Sequence, residues 1–371
     1  MSDLESLLFY IFNFILSAFF LYIVEKKYKK INEKNSRIKI IIFSLLGIMI
    51  PILIAGLRYN VGTDFETYMK MFNAWKEYDI TQIFTNMRTE VLFGMIIKIS
   101  GIFNNYRILF FISSLITVLM VYLSILYNKE KISIALAFLL YLLLYFPSSL
   151  NVVRQAIAVA IVLYSYRYVI QKNILKFAIA IIIASMFHTT AILLLPFYFI
   201  FNFEKRENNL KNLLKIIYLF FLILIVLNYN SILKILTGYS AFQKYQNYGY
   251  IENFGGNKMI IVDTIILAII LLYRKPLEKY DKNTKLYIFM MIVGYILELT
   301  GFISPYIKRI AVYFNICSIY VLSMFPKIAK NKKEKNIIVF FIIIYAILLF
   351  FISIYLLKQG NIIPYNILVY E

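Results

Sequence analysis

The stretch ILKFAIAIIIASMFHTTAILLLPFYFIFNF, Ile174 to Phe203, is almost wholly apolar, with His188 near its centre and Pro196 after it. It is too long and too interrupted to fit well as one membrane crossing, so two short helices meeting near His188 are the expected arrangement. Each would rise roughly 20 Å at about 1.5 Å per residue, enough to carry His188 past the bilayer midplane toward the outer side. The rival is one long kinked helix, which would reverse the topology of everything after it. Val91 to Phe103 poses the same choice: it is short and carries Lys98 in its middle, which favours an interfacial or re-entrant helix over a crossing.

The rest of the chain sets the solvent. Of 371 residues, 62% are hydrophobic and 16% charged, with a mean hydropathy of +0.77, whereas about a quarter of a soluble domain is charged. This is an integral membrane protein. Ten apolar runs read as spans: Ser6 to Val24, Ile40 to Leu57, Ile108 to Tyr127, Ile132 to Phe146, Val152 to Tyr166, Ile216 to Leu227, Met259 to Tyr273, Leu286 to Ile303, Ile310 to Phe325 and Ile337 to Leu357. The expected fold class is all-α, a polytopic transmembrane helical bundle of about 10–12 membrane helices, forming one membrane domain over residues 1–371.

Charge orients the bundle. With the N-terminus outside and both odd stretches returning to their own side, the inner segments are Glu25 to Lys39, Lys129 to Lys131, Arg167 to Lys176, Glu204 to Lys215, Arg274 to Lys285 and Lys327 to Lys335. They hold 26 of the 39 basic residues and 8 of the 19 acids. The net charge of +20 is therefore a signature of topology and not of nucleic-acid binding. The first span follows MSDLES, which has acids but no Lys or Arg, so it reads as an anchor and not as a signal peptide. A single cysteine, Cys317, and a single histidine, His188, exclude a disulfide framework and every Cys-cluster or His-pair metal motif. No phosphate-binding loop is present, so ATP hydrolysis is not expected, and no cofactor is.

The outer surface then has two larger loops, 58–107 with short helices and 228–258. The first opens with RYNVGTDFETYMKMF, Arg58 to Phe72. Asp64 can cap a helix starting at Phe65. Arg58 either snorkels to lipid headgroups or meets an anionic ligand, leaving Asp64 or Glu66 as acid or base. In PSSLNVVRQAIAVAI, Pro147 to Ile161, Arg154 and Gln155 fall in the first turns of a helix, where a guanidinium and backbone N–H groups together suit a phosphate. Snorkelling is the alternative there too, although the apolar face that follows makes it an expensive place for a charge. His188 is the default general base, or else a core histidine bonded to a carbonyl. Arg309 and Tyr313 lie one turn apart at the outer end of a span, near Tyr306 and Lys308. Asp263 and Glu298, inside apolar runs, suit ion pairing with an Arg. If Arg58, Arg154 and Arg309 converge, they form a cationic pocket for a lipid-linked phosphate or diphosphate.

At these residues the sequence resembles the EpsG family of bacterial exopolysaccharide proteins, which belongs with the Wzy-type polymerases of O-antigen, capsule and exopolysaccharide synthesis. The resemblance rests on LRYNVGTDFETY (Leu57 to Tyr68), Glu90 and Phe93 in TEVLFGMIIKI, SSLNVVRQAIAVAI (Ser148 to Ile161), FHTTAILLLP (Phe187 to Pro196) and KRIAVYF (Lys308 to Phe314), in that order. It implies a metal-independent glycosyltransferase at the outer face of a multi-pass plasma-membrane protein. The growing glycan would pass from undecaprenyl diphosphate to the next undecaprenyl-diphosphate-linked oligosaccharide, with a chain-length regulator as a pathway partner. Carried over, Arg58, Arg154, Arg309 and Tyr313 become substrate contacts, Tyr68 and Gln155 bond sugar hydroxyls, His188 is the base, and Asp64 and Glu90 are alternative bases or sugar ligands. A lipid-linked sugar flippase or transporter, or an O-acyltransferase or ligase, could use the same pocket.

Overall fold

A computed structural model describes residues 1–28, 34–87, 90–202, 260–299 and 305–367, with single helical residues at 213, 217, 220 and 224. Most of the expected span Ile216 to Leu227 and of the basic segment Glu204 to Lys215, all of the loop 228–258, and the side chains of Tyr306 and Lys308 lie outside the described residues. Among the described residues the elements are helical, and no strand forms; the chain is an all-α polytopic bundle. Among the described residues, six helices are long and apolar enough to cross a membrane: Asp3–Tyr28, Ser36–Leu57, Tyr106–Tyr127, Val153–Ile170, Arg309–Lys327 and Lys332–Leu356. Shorter apolar helices include Val91–Ile102, Ile134–Leu144 and Ile174–Ser185.

The chain divides into two compact units, one of Met1–Tyr164, Ile183–Thr189 and Leu322–Glu371, the other of Ser165–Ile182 and Thr190–Val321. In the first, α1 (Asp3–Tyr28) packs on α2 (Lys34–Leu57) and α7 (Ile134–Leu144). Leu7, Tyr10, Phe14 and Leu21 of α1 face the core, while Leu4, Leu8, Phe12, Ile15 and Phe19 form an exposed stripe at helical spacing. Such a continuous apolar stripe is stable against lipid, not water. Between these follow α3 (Phe65–Trp75), α4 (Ile80–Met87), α5 (Val91–Ile102) and α6 (Tyr106–Tyr127). Hydroxyls tie the helices across their apolar seams: Ser17 Oγ donates to Gly47 O at 2.6 Å, and Ser124 Oγ of α6 to Leu163 O at 3.0 Å.

The run Ile132 to Phe146 is shorter as a helix than its hydropathy suggests. α7 has 11 residues and ends where Pro147, in the first turn of α8 (Phe146–Ser149), forbids continuation. α9 (Val153–Ile170) and α10 (Ile174–Ser185) follow. Beyond α10 the chain turns at Met186 and Phe187, runs as a 3₁₀-helix over Thr189–Leu194, and re-enters α-helix in α11 (Phe197–Asn202). The long apolar stretch is thus two helical pieces broken beside His188.

The second unit continues with α12 (Ile260–Leu272), α13 (Arg274–Tyr280), α14 (Thr284–Leu299) and α15 (Pro305–Asn315). Its core is aromatic: Phe197 stacks on Phe289 at 5.8 Å and meets Phe314 edge-on at 6.1 Å.

The segment after Leu357 carries no motif, yet it closes the first unit. Tyr365 is buried, donates from its hydroxyl to Ile54 O at 2.9 Å, and stacks on Phe9 at 4.8 Å. Tyr59, Gly62 and Thr63 donate their amides to Asn366, Asn361 and Gly360 carbonyls at 2.9–3.0 Å. Asn151 locks this join, accepting from Thr63 Oγ1 at 3.2 Å and donating to Gly360 O at 3.1 Å. Gly62 has φ +99°, and a Cβ there would lie 2.6 Å from Asn151 Oδ1. Gly62→Ala is therefore expected to cost about 1–3 kcal/mol from backbone strain alone. Thermal unfolding of the purified protein reads this, and an unchanged Tm would show that the join does not hold the loop.

Candidate active site

Glu90 occupies the position just before α5, where its carbonyl accepts the first intrahelical bonds, from Phe93 N at 3.1 Å and Gly94 N at 3.3 Å. Its side chain makes no cap. Leu92 N donates to Met186 O at 3.2 Å, which draws the start of α5 against the turn leading into His188. The Glu90 carboxylate consequently bridges two groups from distant sequence: Oε1 lies 3.1 Å from His188 Nδ1, and Oε2 accepts a short hydrogen bond from Arg154 Nη1. Arg154 is the second residue of α9, and its guanidinium lies 5.9 Å from the centroid of Phe93.

The electrostatics are mutually dependent. A cation in the first turn of a helix opposes the helix dipole, so Arg154 needs an anion beside it, and a sealed carboxylate needs a cation. The Glu90 side chain is only 3% exposed, against 18% for His188 and 29% for Arg154. The carboxylate is thus a hidden hub with two partners that reach toward solvent. With Glu90 ionised, His188 Nδ1 is the protonated nitrogen that donates to it, and Nε2 carries the lone pair. That arrangement orients an imidazole as a base, with Arg154 one carboxylate away.

Tyr68, on α3, stands beside Arg154 and meets Phe93 edge-on at 5.7 Å. Burial raises its phenol above the ordinary range, against the pull of Arg154, so it stays a neutral hydroxyl at physiological pH. Four of the residues singled out in the sequence, Tyr68, Glu90, Arg154 and His188, therefore share one place in the fold.

The others are described each in its own surroundings. Asp64 precedes α3, yet its side chain does not cap the helix; it accepts from Thr63 Oγ1 at 3.3 Å. Gln155 is buried on α9. Arg58 is 1% exposed and stacks on Phe110 at 4.3 Å, with Tyr10, Tyr68 and Tyr365 around it. In the second unit, Arg309 is exposed on α15, while Tyr313 is buried, its hydroxyl 3.2 Å from Thr190 Oγ1. Two features escaped sequence reasoning. One is Glu90 as the tie between Arg154 and His188, for which a lone acid opening an apolar helix was the available signal. The other is Asn151 as the lock of the C-terminal segment.

The family model of the EpsG family matches residues 41–367. The chain belongs to the EpsG family. The match takes in the whole Glu90 cluster and also the docked C-terminal segment, beyond the limits of the individual motifs at Leu57 and Phe314. Neither the curated proteins nor the solved structures contain a match to this chain. As an EpsG-family membrane protein it has a polysaccharide-polymerase-like role in general terms, and the family points to glycosyltransferase-like chemistry.

Proposed function

We propose that the protein is a metal-independent, Wzy-type polysaccharide polymerase of the bacterial plasma membrane. It transfers the growing glycan from undecaprenyl diphosphate to the terminal sugar hydroxyl of the next lipid-linked repeat unit at the outer face. The observation that carries this reading is the buried Glu90 carboxylate joined to both His188 Nδ1 and Arg154. In the step, the acceptor oxygen bonds to the anomeric carbon as the bond from that carbon to the diphosphate oxygen breaks. His188 Nε2 takes the hydroxyl proton, and the diphosphate leaves with the electron pair. Arg154, at the positive end of α9, meets that charge with the remaining donors of its fork. Glu90 holds the ring in the productive tautomer, and Tyr68 offers a neutral hydroxyl to sugar or phosphate. The strong inner-side excess of Lys and Arg supports an outward-facing site.

The test is chain extension by the purified protein in nanodiscs, supplied with its lipid-diphosphate repeat unit and resolved by gel. A ladder of products is expected. Movement of the lipid across the bilayer without any ladder would replace the polymerase with a transporter.

A further inference from the structure

Hydroxyls inside helices ordinarily donate back to the preceding turn. Thr117 of α6 does so to Ser113 O at 2.8 Å, and Ser100 of α5 to Ile96 O at 2.8 Å. Ser113 and Ser114 do not. Both hydroxyls are buried with no hydrogen-bond partner among the described residues. They line a cavity of about 10 Å³ together with Arg58, Phe110, Thr117 and Ser149. The hydroxyls of Thr117 and Ser149 already donate to backbone carbonyls, at 2.8 Å and 2.6 Å.

The same cavity wall holds an unanswered charge. Arg58 is 1% exposed, and its Nε and Nη2 are buried without a hydrogen-bond partner among the described residues. Its neighbours Tyr10, Tyr68 and Tyr365 are phenols, and one face lies on the Phe110 ring. Burial pushes the guanidinium down to about 10, so it remains charged at neutral pH. The Glu90 carboxylate is engaged by Arg154 and His188, and among the described residues no carboxylate forms an ion pair with Arg58. A buried cation left so is strongly disfavoured. Four donor atoms with no acceptor among the described residues, on three residues that line one small cavity, call for a small acceptor that carries negative charge.

We propose that this cavity binds a single halide ion, chloride in the cell, held by the Arg58 guanidinium and the Ser113 and Ser114 hydroxyls. A water molecule fits but leaves the charge uncompensated and brings two further protons that need acceptors. Because Arg58 follows directly on α2 and pairs across a backbone bridge with Ile367, the ion would fasten the end of α2 and the C-terminal segment at once.

The experiment compares the full-length protein in nanodiscs in chloride, bromide and gluconate at equal ionic strength. Thermal unfolding is expected roughly 2–4 °C higher in either halide than in gluconate. That difference should vanish in Arg58→Gln and in the paired Ser113→Ala, Ser114→Ala chain. Crystals of the wild-type protein grown in bromide should show an anomalous peak between Arg58 and the two serines, a result that does not depend on the variants folding. Identical Tm values for the wild type in all three salts, or a bromide map empty at Arg58, would overturn the proposal and assign the cavity to water.

Discussion

Glu90→Gln is expected to lower chain extension about a thousandfold or more and to destabilise the protein at the same time. A carboxylate accepts hydrogen bonds on both oxygens, and here both are used, by His188 Nδ1 and Arg154 Nη1. An amide of the same shape accepts on one side only and presents a donor to the other. Either His188 is forced toward the wrong tautomer or Arg154 faces a second donor, and in both cases the guanidinium loses its counter-charge. Breaking a buried pair in this way costs about 3–5 kcal/mol; because the Arg154 side chain is 29% exposed, the lower end of that range, about 3 kcal/mol, applies here.

The two losses can be separated. In Glu90→Gln with Arg154→Gln, the charge imbalance is gone, so Tm should recover toward wild type while the ladder stays absent. If the double variant recovers activity along with stability, Glu90 and Arg154 are only a structural ion pair. If neither recovers, the fold depends on that pair in a way charge balance does not explain.

Helical class and membrane solvent were legible because each rests on many residues at once: a stripe such as Leu4, Leu8, Phe12 and Ile15 needs no partner to be recognised. The break at His188 was legible for the same reason, since neither half of Ile174 to Phe203 suits a full crossing alone. The site was legible only as residue types. Arg154 and His188 stood out as a charge and a titratable ring in apolar surroundings, but their meeting depends on Glu90, and that meeting follows from a backbone bond between Leu92 and Met186 that no pattern encodes. Convergence of three arginines was a guess from chain order. The fold beds Arg58 on Phe110 and sets Tyr68 beside both Arg58 and Arg154, while Arg309 belongs to the second unit. The C-terminal segment was illegible altogether, because Tyr365 and Asn361 act through tertiary contacts with Ile54 and Gly62 and show no periodicity of their own.

His188→Ala should reduce turnover by about 10²–10⁴-fold while leaving binding of the lipid-linked substrate and Tm near their wild-type values. The ring is partly exposed, and Glu90 keeps Arg154 when it is removed, so the fold loses little. Two readouts distinguish a base from a packing residue. The wild type should lose activity as the medium is acidified and the imidazole takes up its proton, because a protonated ring cannot accept one from the acceptor sugar; that acid limb should be absent from the residual activity of the variant. Added imidazole should restore part of the ladder in His188→Ala, because the vacated space still borders Glu90 and still offers it the same hydrogen bond. A variant that builds the full ladder at wild-type rate would move the proton elsewhere, and Asp64, half-buried at the start of α3, would be the next carboxylate to test. Rescue by imidazole that disappears when Glu90→Gln is added would tie the ring nitrogen and the carboxylate into one device, since only an ionised Glu90 selects the tautomer with Nε2 as the base.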